Sequence, residues 1–195
     1  MDNAPTSTSP NRYDSSSAPE DQFQPQTQTQ TSQFNSSLPE VHNSYFSKLY
    51  ELARFHFDSA NYFQGLFNID KCIEHLSTNL EDGNRSPVLQ DFISKIVSDL
   101  NELALNLLKA DKPHECLRIL EKCKEYTTPD KYGNFSRLRS LTYNHIGCCY
   151  RRLGNLEKAL YYLQKVLILV EPADRIEILG ITHINLCAVL SQMNK

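Results

Sequence analysis

Residues 143–172 read YNHIGCCYRRLGNLEKALYYLQKVLILVEP, and the pattern of this stretch predicts the fold. Its landmarks are, in order, Tyr143, Ile146, Gly147, Tyr150, Gly154, Asn155, Ala159, Leu163 and Pro172. Apolar residues recur every three or four positions on both sides of Gly154 and Asn155, which is the spacing of two amphipathic helices joined by a turn. The stretch therefore predicts a helical hairpin in which the small residues Gly147 and Ala159 let the two helix axes approach closely.

The same landmarks return in weaker form on both sides of this stretch. Leu103-Ala104 lies 43 residues before Ile146-Gly147, Leu52-Ala53 lies 94 residues before it, and Leu186 lies 40 residues after Ile146. Neighbouring copies are therefore 51, 43 and 40 residues apart. Self-similarity at such a period is typical of stacked helical units, because one hairpin cannot bury its own apolar face.

Short polar segments with Gly, Pro, Asp or Asn separate the periodic segments, and they predict seven helices. Six of the expected helices are residues 45–57, 61–80, 87–110, 135–153, 156–170 and 174–193. The fourth in chain order has Asp111 as its cap and Pro113 in its first turn, and it ends near residue 126. No segment alternates polar and apolar residues for long enough to form a strand. We predict an all-α protein, an α-solenoid of antiparallel helix pairs, with units near residues 46–79, 97–130 and 140–173 and a half unit at 180–195.

The first 43 residues differ in composition from the rest of the chain. Of these, 28 are Ser, Thr, Gln, Pro or Asn, and the segment carries a net charge of -4, whereas all six cysteines lie after it. Isolated aromatic residues without a periodic pattern bury too little surface to offset the entropy of ordering the chain. We therefore expect a disordered tail at 1–43 and a helical-repeat domain at 44–195.

The landmarks of residues 143–172 resemble the tetratricopeptide repeat, whose pattern is W-x2-L-G-x2-Y, A-x3-F and a closing Pro over about 34 residues. Leu163 stands in the place of the Phe, and Pro172 lies one position late. The long spacing and the Asn185-Leu186 start resemble the kinesin light chain and LGN-type modules. The resemblance covers about residues 44–195, and it implies that the first helix of each pair lines a concave, partner-binding groove.

Transferred by register, the resemblance implies a set of groove residues on the first helices. They are Arg54, Asn101, Leu105, Lys109, Asn144, Cys148, Arg151, Arg152 and Asn185. Asn side chains both donate to and accept from an extended peptide backbone, and an arginine fork suits carboxylate or phosphate, so the partner is expected to be acidic or phosphorylated. The alternative for Lys109, Arg151 and Arg152 is that they solvate helix C-termini, where cations are favourable. The family's clamp for a chaperone tail would need Lys or Arg at Tyr50, Ser98 and Leu141, so that partner is disfavoured.

The sequence offers no catalytic, cofactor or metal site. Cys116 and Cys123 near His114 lack a paired ligand spacing, and no Gly-rich phosphate loop or nucleophile motif occurs. A net charge of -3 and a pI near 6.1 do not favour nucleic acid. No secretory signal is recognised, and Val166–Val170, the best apolar run, is too short to span a membrane, so we expect a cytoplasmic or nuclear protein with reduced cysteines.

Three functions remain open from the sequence. One is an interaction scaffold or adaptor that binds a peptide or helix of a partner protein in the groove. Another is a structural subunit packed permanently in a larger assembly, and the repeat portion of a longer enzyme is a third possibility. Apolar residues spread around the last helix further predict either an oligomer or a continuing repeat array that joins through residues 176–193.

Overall fold

The computed structural model describes residues 44–170 and 175–194, so the expected tail at 1–43 lies outside the described residues. The described helices are α1 (Ser44–Asp58), α2 (Tyr62–Asn79), α3 (Pro87–Lys109), α4 (Pro113–Tyr126), α5 (Ser136–Arg152), α6 (Leu156–Leu169) and α7 (Arg175–Met193). A short 3₁₀ helix, Gly83–Arg85, precedes α3, and the described segments contain no strand. The all-α prediction is confirmed, and each helix begins and ends within a few residues of its expected bounds.

The turn inside each helix pair has the same backbone conformation. Ala60, Asp111 and Gly154 all adopt positive φ angles, of 56°, 57° and 76°. The residue after each donates its N–H to the carbonyl five positions earlier, from Asn61 to His56 (2.8 Å), from Lys112 to Leu107 (2.9 Å) and from Asn155 to Tyr150 (2.9 Å). This is the left-handed termination common at helix C-termini, and it reverses the chain so that the next helix packs antiparallel.

The cap predicted at Asp111 is wrong. Asp111 occupies the left-handed position of its turn, and Lys112 precedes Pro113 as the cap residue of α4 without a side-chain hydrogen bond. The other two turns place Asn in this position, where Asn61 accepts the N–H of Gln64 and Asn155 accepts that of Lys158. The turn with Asp111 therefore keeps the fold of its neighbours without their cap.

Close packing within the pairs follows the predicted small residues. A Cβ atom added to Gly147 would lie 2.7 Å from Cγ of Leu163, and one added to Gly65 would lie 2.9 Å from the ring of Phe57. Ala53, Ala104 and Ala159 are buried. Small side chains at these crossings thus set the distance between the paired helices.

The pairs stack on each other through specific side chains. Phe92 of α3 contacts Phe46 and Tyr50 of α1 edge to face, with ring centroids 5.3 and 5.9 Å apart. Asp70 of α2 accepts hydrogen bonds from Tyr126 and from Lys122 of α4, at 2.8 and 2.9 Å. The apolar core runs continuously from α1 to α5, and smaller clusters join α6 to α7.

One landmark of the repeat lies on the surface. Leu52 is exposed and its counterpart Leu103 is half-buried, whereas Ile146 and Leu163 are fully buried. The reason is that α1 is the first described helix, and in the described part of the chain no earlier pair packs on the side that carries Leu52.

The outer face of α7 is apolar and exposed. Ile176 is 95% exposed and Ile184 is 71% exposed, while Ile178, Thr182 and Val189 face the stack and are buried. Ile176–Met193 is long and apolar enough to cross a membrane, judged by length and composition alone, a test that core helices of soluble proteins also pass. The expectation that no segment reaches this length is therefore wrong, because it considered uninterrupted apolar runs instead of the average over a helix.

Candidate functional site: the surface of the first helices

The first helices of the pairs, α1, α3, α5 and α7, carry the candidate residues, and on α3 and α5 the exposure of these residues rises toward the C-terminal end. On α3, Asn101 is buried, Leu105 is half-buried and Lys109 is exposed. On α5, Asn144, Cys148 and Arg152 repeat this order at a distance of 43 residues. The accessible part of the candidate surface therefore lies toward the C-terminal ends of α3 and α5.

Both the nitrogen and the oxygen of the Asn101 side-chain amide form hydrogen bonds inside the stack. Its nitrogen donates to the carbonyl of Val97 at 2.8 Å and to Oγ1 of Thr142 at 3.0 Å. Its oxygen lies 3.1 Å from Nδ1 of His145, and the hydroxyl of Thr142 donates onward to the carbonyl of Leu138. Because an amide oxygen only accepts, His145 carries its proton on Nδ1.

The same arrangement recurs one repeat later. Asn185 of α7 donates to the side-chain oxygen of Asn144 at 2.8 Å. In both cases an asparagine of one first helix forms a hydrogen bond with a residue of the next first helix. This partner lies one position after the residue that corresponds to the asparagine in the repeat. His145 is the partner of Asn101, and Asn185 is the partner of Asn144. These bonds fix the register of consecutive pairs. The expectation that Asn101 and Asn144 face a bound peptide is corrected accordingly, since both are buried and hydrogen-bonded within the stack.

His145 is the residue of this surface that the sequence prediction missed. Burial lowers its pKa to about 4, so the imidazole is neutral near pH 7 and serves as a hydrogen-bond donor to Asn101. The signal that could have located it is the repeat register itself, since His145 occupies the position of Asn185 one unit earlier.

The exposed end of the surface is basic. Lys109 and Arg152 are exposed, Arg151 is half-buried, and Nη1 of Arg152 lies 3.1 Å from Oδ1 of Asp111 at the turn after α3. An exposed pair of this kind is worth well under about 1 kcal/mol, so Arg152 can exchange Asp111 for another anion. Nε of Arg151 is buried and has no hydrogen-bond partner in the described chain.

The remaining candidates flank this basic end. Arg54 of α1 is half-buried, and so are Leu105 and Cys148. Burial raises the pKa of the Cys148 thiol against the opposing effect of Arg151, so this cysteine is a protonated, weakly polar surface and not an activated nucleophile.

The described residues also contain six cysteines and other potential metal ligands. All six cysteines are free, and Sγ of Cys116 lies 2.9 Å from Sγ of Cys149 in the core. Residues 44–170 and 175–194 hold no cluster of three or more His, Cys, Asp or Glu side chains suited to a metal ion.

The fold and this surface define an α-solenoid of stacked helical hairpins. Residues 97–169, which extend from α3 to α6, match the family model described as tetratricopeptide repeat. This match supports the tetratricopeptide repeat that the landmarks predict, and such repeats are typically non-catalytic modules that mediate protein interactions. A search of curated proteins finds no match to the chain. The likeness in spacing to kinesin light chain modules stays a prediction.

Proposed function

We propose that the protein is an interaction scaffold whose first-helix surface binds a peptide or helix of another protein. The family match supports an interaction role in general. The observation that carries the finer proposal is the exposure gradient on α3 and α5. It leaves Leu105 and Cys148 as a partly apolar floor beside the cations of Lys109, Arg151 and Arg152.

The chemistry of this surface favours an acidic or phosphorylated partner. Lys109, Arg151 and Arg152 lie at two neighbouring helix ends, and of these Arg152 contacts an acid, Asp111, at 3.1 Å. Arginine presents a planar fork to carboxylate or phosphate, and exposed charge pairs weaken as salt rises. Affinity for the partner is therefore expected to fall with ionic strength, and Arg54 and Asn185 extend the same surface toward α1 and α7. We place the protein in the cytoplasm as part of this proposal.

The test compares charge reversals on the first and second helices. Proximity labelling with mass spectrometry identifies partners of the full chain, and capture is then measured for Arg151→Glu with Arg152→Glu. The matched control is Arg118→Glu with Lys158→Glu, two exposed cations on α4 and α6. The proposal expects capture to be lost only in the first variant, with an unchanged helical circular dichroism signal. Equal capture by both variants removes the basic end from the binding site.

A second candidate, a subunit packed permanently in a larger assembly, is favoured by the outer face of α7. This helix exposes large apolar side chains, among them those of Ile176, Ile181, Ile184 and Leu190. A contiguous exposed apolar patch is typical of an interaction surface. Such a subunit would co-purify with its assembly at fixed stoichiometry through high-salt washing, whereas a groove contact would exchange. Washing at rising salt therefore separates the two functions.

A further inference from the structure

Arg139 is an arginine that the fold buries without a visible counterpart. It lies in the first turns of α5, and its residue is only 7% exposed. Its Nε and Nη2 atoms are both inaccessible to solvent, and neither has a hydrogen-bond partner in the described part of the chain. By contrast, Arg137, two positions earlier, reaches Glu177 of α7 at 3.4 Å. Buried donors of this kind are normally satisfied, so an unpaired guanidinium edge requires an explanation.

Arg139 is one of the residues that line a cavity of about 430 Å³. Its walls are the connection between α4 and α5, the start of α5, and the 3₁₀ turn before α3 with the first turn of that helix. Arg139 and Arg85 are its cations, Asp130 is its acid, and Gln90 and Ser136 are among its neutral polar groups. Because α5 begins at this cavity, the dipole of the helix adds positive potential there.

The geometry of the guanidinium specifies the kind of ligand. Nε and Nη2 lie on the same edge of the planar group, and this edge makes two parallel hydrogen bonds to two oxygens of one anion. Asp130 lies on the cavity wall but makes no hydrogen bond or ion pair with Arg139 in the structure. Burial lowers the pKa of Arg139, and the opposing effects of Tyr143 and Asp130 offset this only in part.

We propose that this cavity binds a single oxyanion, a phosphate or a carboxylate, with the guanidinium of Arg139 as the anchor and Arg85 as a second cation. The site is separate from the proposed partner-binding surface. Arg139 and Arg151 lie at opposite ends of α5, roughly 18 Å apart at ~1.5 Å per residue. The oxyanion would also join the connection between α4 and α5 to the start of α3, so that its binding stabilises the contact between the second and third pairs.

The test uses the full chain and three probes at constant ionic strength. Inorganic phosphate, acetate and an amide-capped phosphoserine are each titrated, and binding is measured by calorimetry and by the shift in melting temperature. We expect phosphate to raise the melting temperature in proportion to occupancy, and Arg139→Met to bind it at least about tenfold more weakly. Tighter binding of capped phosphoserine than of inorganic phosphate assigns the site to a phosphorylated side chain. Tighter binding of acetate than of either phosphate probe assigns the site to a carboxylate. Tighter binding of inorganic phosphate than of capped phosphoserine assigns it to a free phosphate.

Two exposed positions keep the test valid if Arg139→Met does not fold. Arg85→Gln is expected to weaken phosphate binding several-fold and to leave the melting temperature in phosphate-free buffer unchanged, with Arg118→Gln as the matched control. Asp130→Asn is expected to tighten binding, because it removes the acid of the cavity. Two results overturn the proposal: equal responses to phosphate in the wild type and the Arg85 and Arg139 variants, or an Asp130→Asn chain that loses stability without gaining affinity. The second result would make Asp130 the true partner of Arg139.

Discussion

The side chain that Gly147 lacks would occupy space that Leu163 already fills, since its Cβ would lie 2.7 Å from Cγ of the leucine. At this crossing a single hydrogen atom in place of a methyl group sets the separation of α5 and α6. Individual residues likewise set the register between pairs. Asn101 and Asn144 each bond the next first helix, and each does so from a buried position where an unpaired amide would be costly.

We expect Gly147→Ala to lower the free energy of unfolding by about 1–3 kcal/mol, because the added methyl overpacks the contact between α5 and α6. Gly180→Ala in α7 is the matched control. A Cβ there meets no atom within 4 Å, so the same change should raise stability by up to about 1 kcal/mol. Urea denaturation of both variants measures the difference, and effects of the same sign would contradict this account.

His145 predicts a dependence of stability on pH. Its pKa is about 4 in the folded chain, against an ordinary value of 6.5, so between these values the unfolded chain binds more protons. Stability from this group is complete above pH 6.5 and falls as pH drops toward 4, by about 3 kcal/mol over the window and about 2 kcal/mol by pH 5.

The variant that tests this linkage is His145→Gln, which keeps a donor for Asn101 but cannot titrate. We expect its free energy of unfolding to fall less than that of the wild type between pH 7 and 5. His114→Gln, at an exposed position of α4, serves as the control and should retain the wild-type slope. An identical pH profile for all three proteins would show that His145 does not limit stability in acid.

At the scale of helices and turns, one left-handed turn is used three times with three different residues. Gly154 adopts its positive φ without steric cost, whereas Ala60 and Asp111 bring a Cβ into the same conformation. The turn thus persists where its best residue is absent, because the helices on both sides are held by their packing.

Exchanging the turn residues should change stability in opposite directions. Ala60→Gly relieves the left-handed strain and should stabilise the chain by about 1 kcal/mol, while Gly154→Ala should destabilise it by a similar amount. Ala110→Gly is the control, since this residue has an ordinary φ of -78° just before the second turn. Thermal unfolding of the three variants measures the effect, and a stabilised Ala110→Gly chain would point to a general effect of glycine.

In the molecule as a whole, the last described helix, α7, has two apolar sides. One side of α7 covers α5 and α6, where Val189 joins Ala159 and Leu163 in a small cluster. The other side presents Ile176, Ile181 and Ile184 outward. An apolar patch on this scale marks an interface, so the molecule is expected to associate through it.

We expect the purified chain to sediment as a species larger than a monomer at micromolar concentration. Ile184→Glu, which introduces a charge into the exposed face, should shift it toward the monomer and leave the helical circular dichroism signal unchanged. Phe55→Glu, at an exposed aromatic residue of α1, is the control and should not alter sedimentation. A wild-type chain that remains monomeric at high micromolar concentration would show that α7 caps the stack.

Features that depend on neighbours within about one helix pair could be predicted from the sequence. Apolar periodicity fixed the seven helices, and the spacing of Gly147, Ala159 and Gly154 fixed the hairpin, because these features obey steric rules of the local chain. The tetratricopeptide repeat was recognisable for the same reason.

Which polar groups remain accessible depends on the tertiary structure. Asn101 and Asn144 lie on the predicted surface but bond residues some 40 positions away, and Arg139 is polar by sequence yet buried by the α4–α5 connection. Leu52 and Ile184 are apolar by sequence yet exposed, since no described helix covers them. Burial depends on the elements that arrive from distant parts of the chain, and the pattern of a single helix does not contain that information.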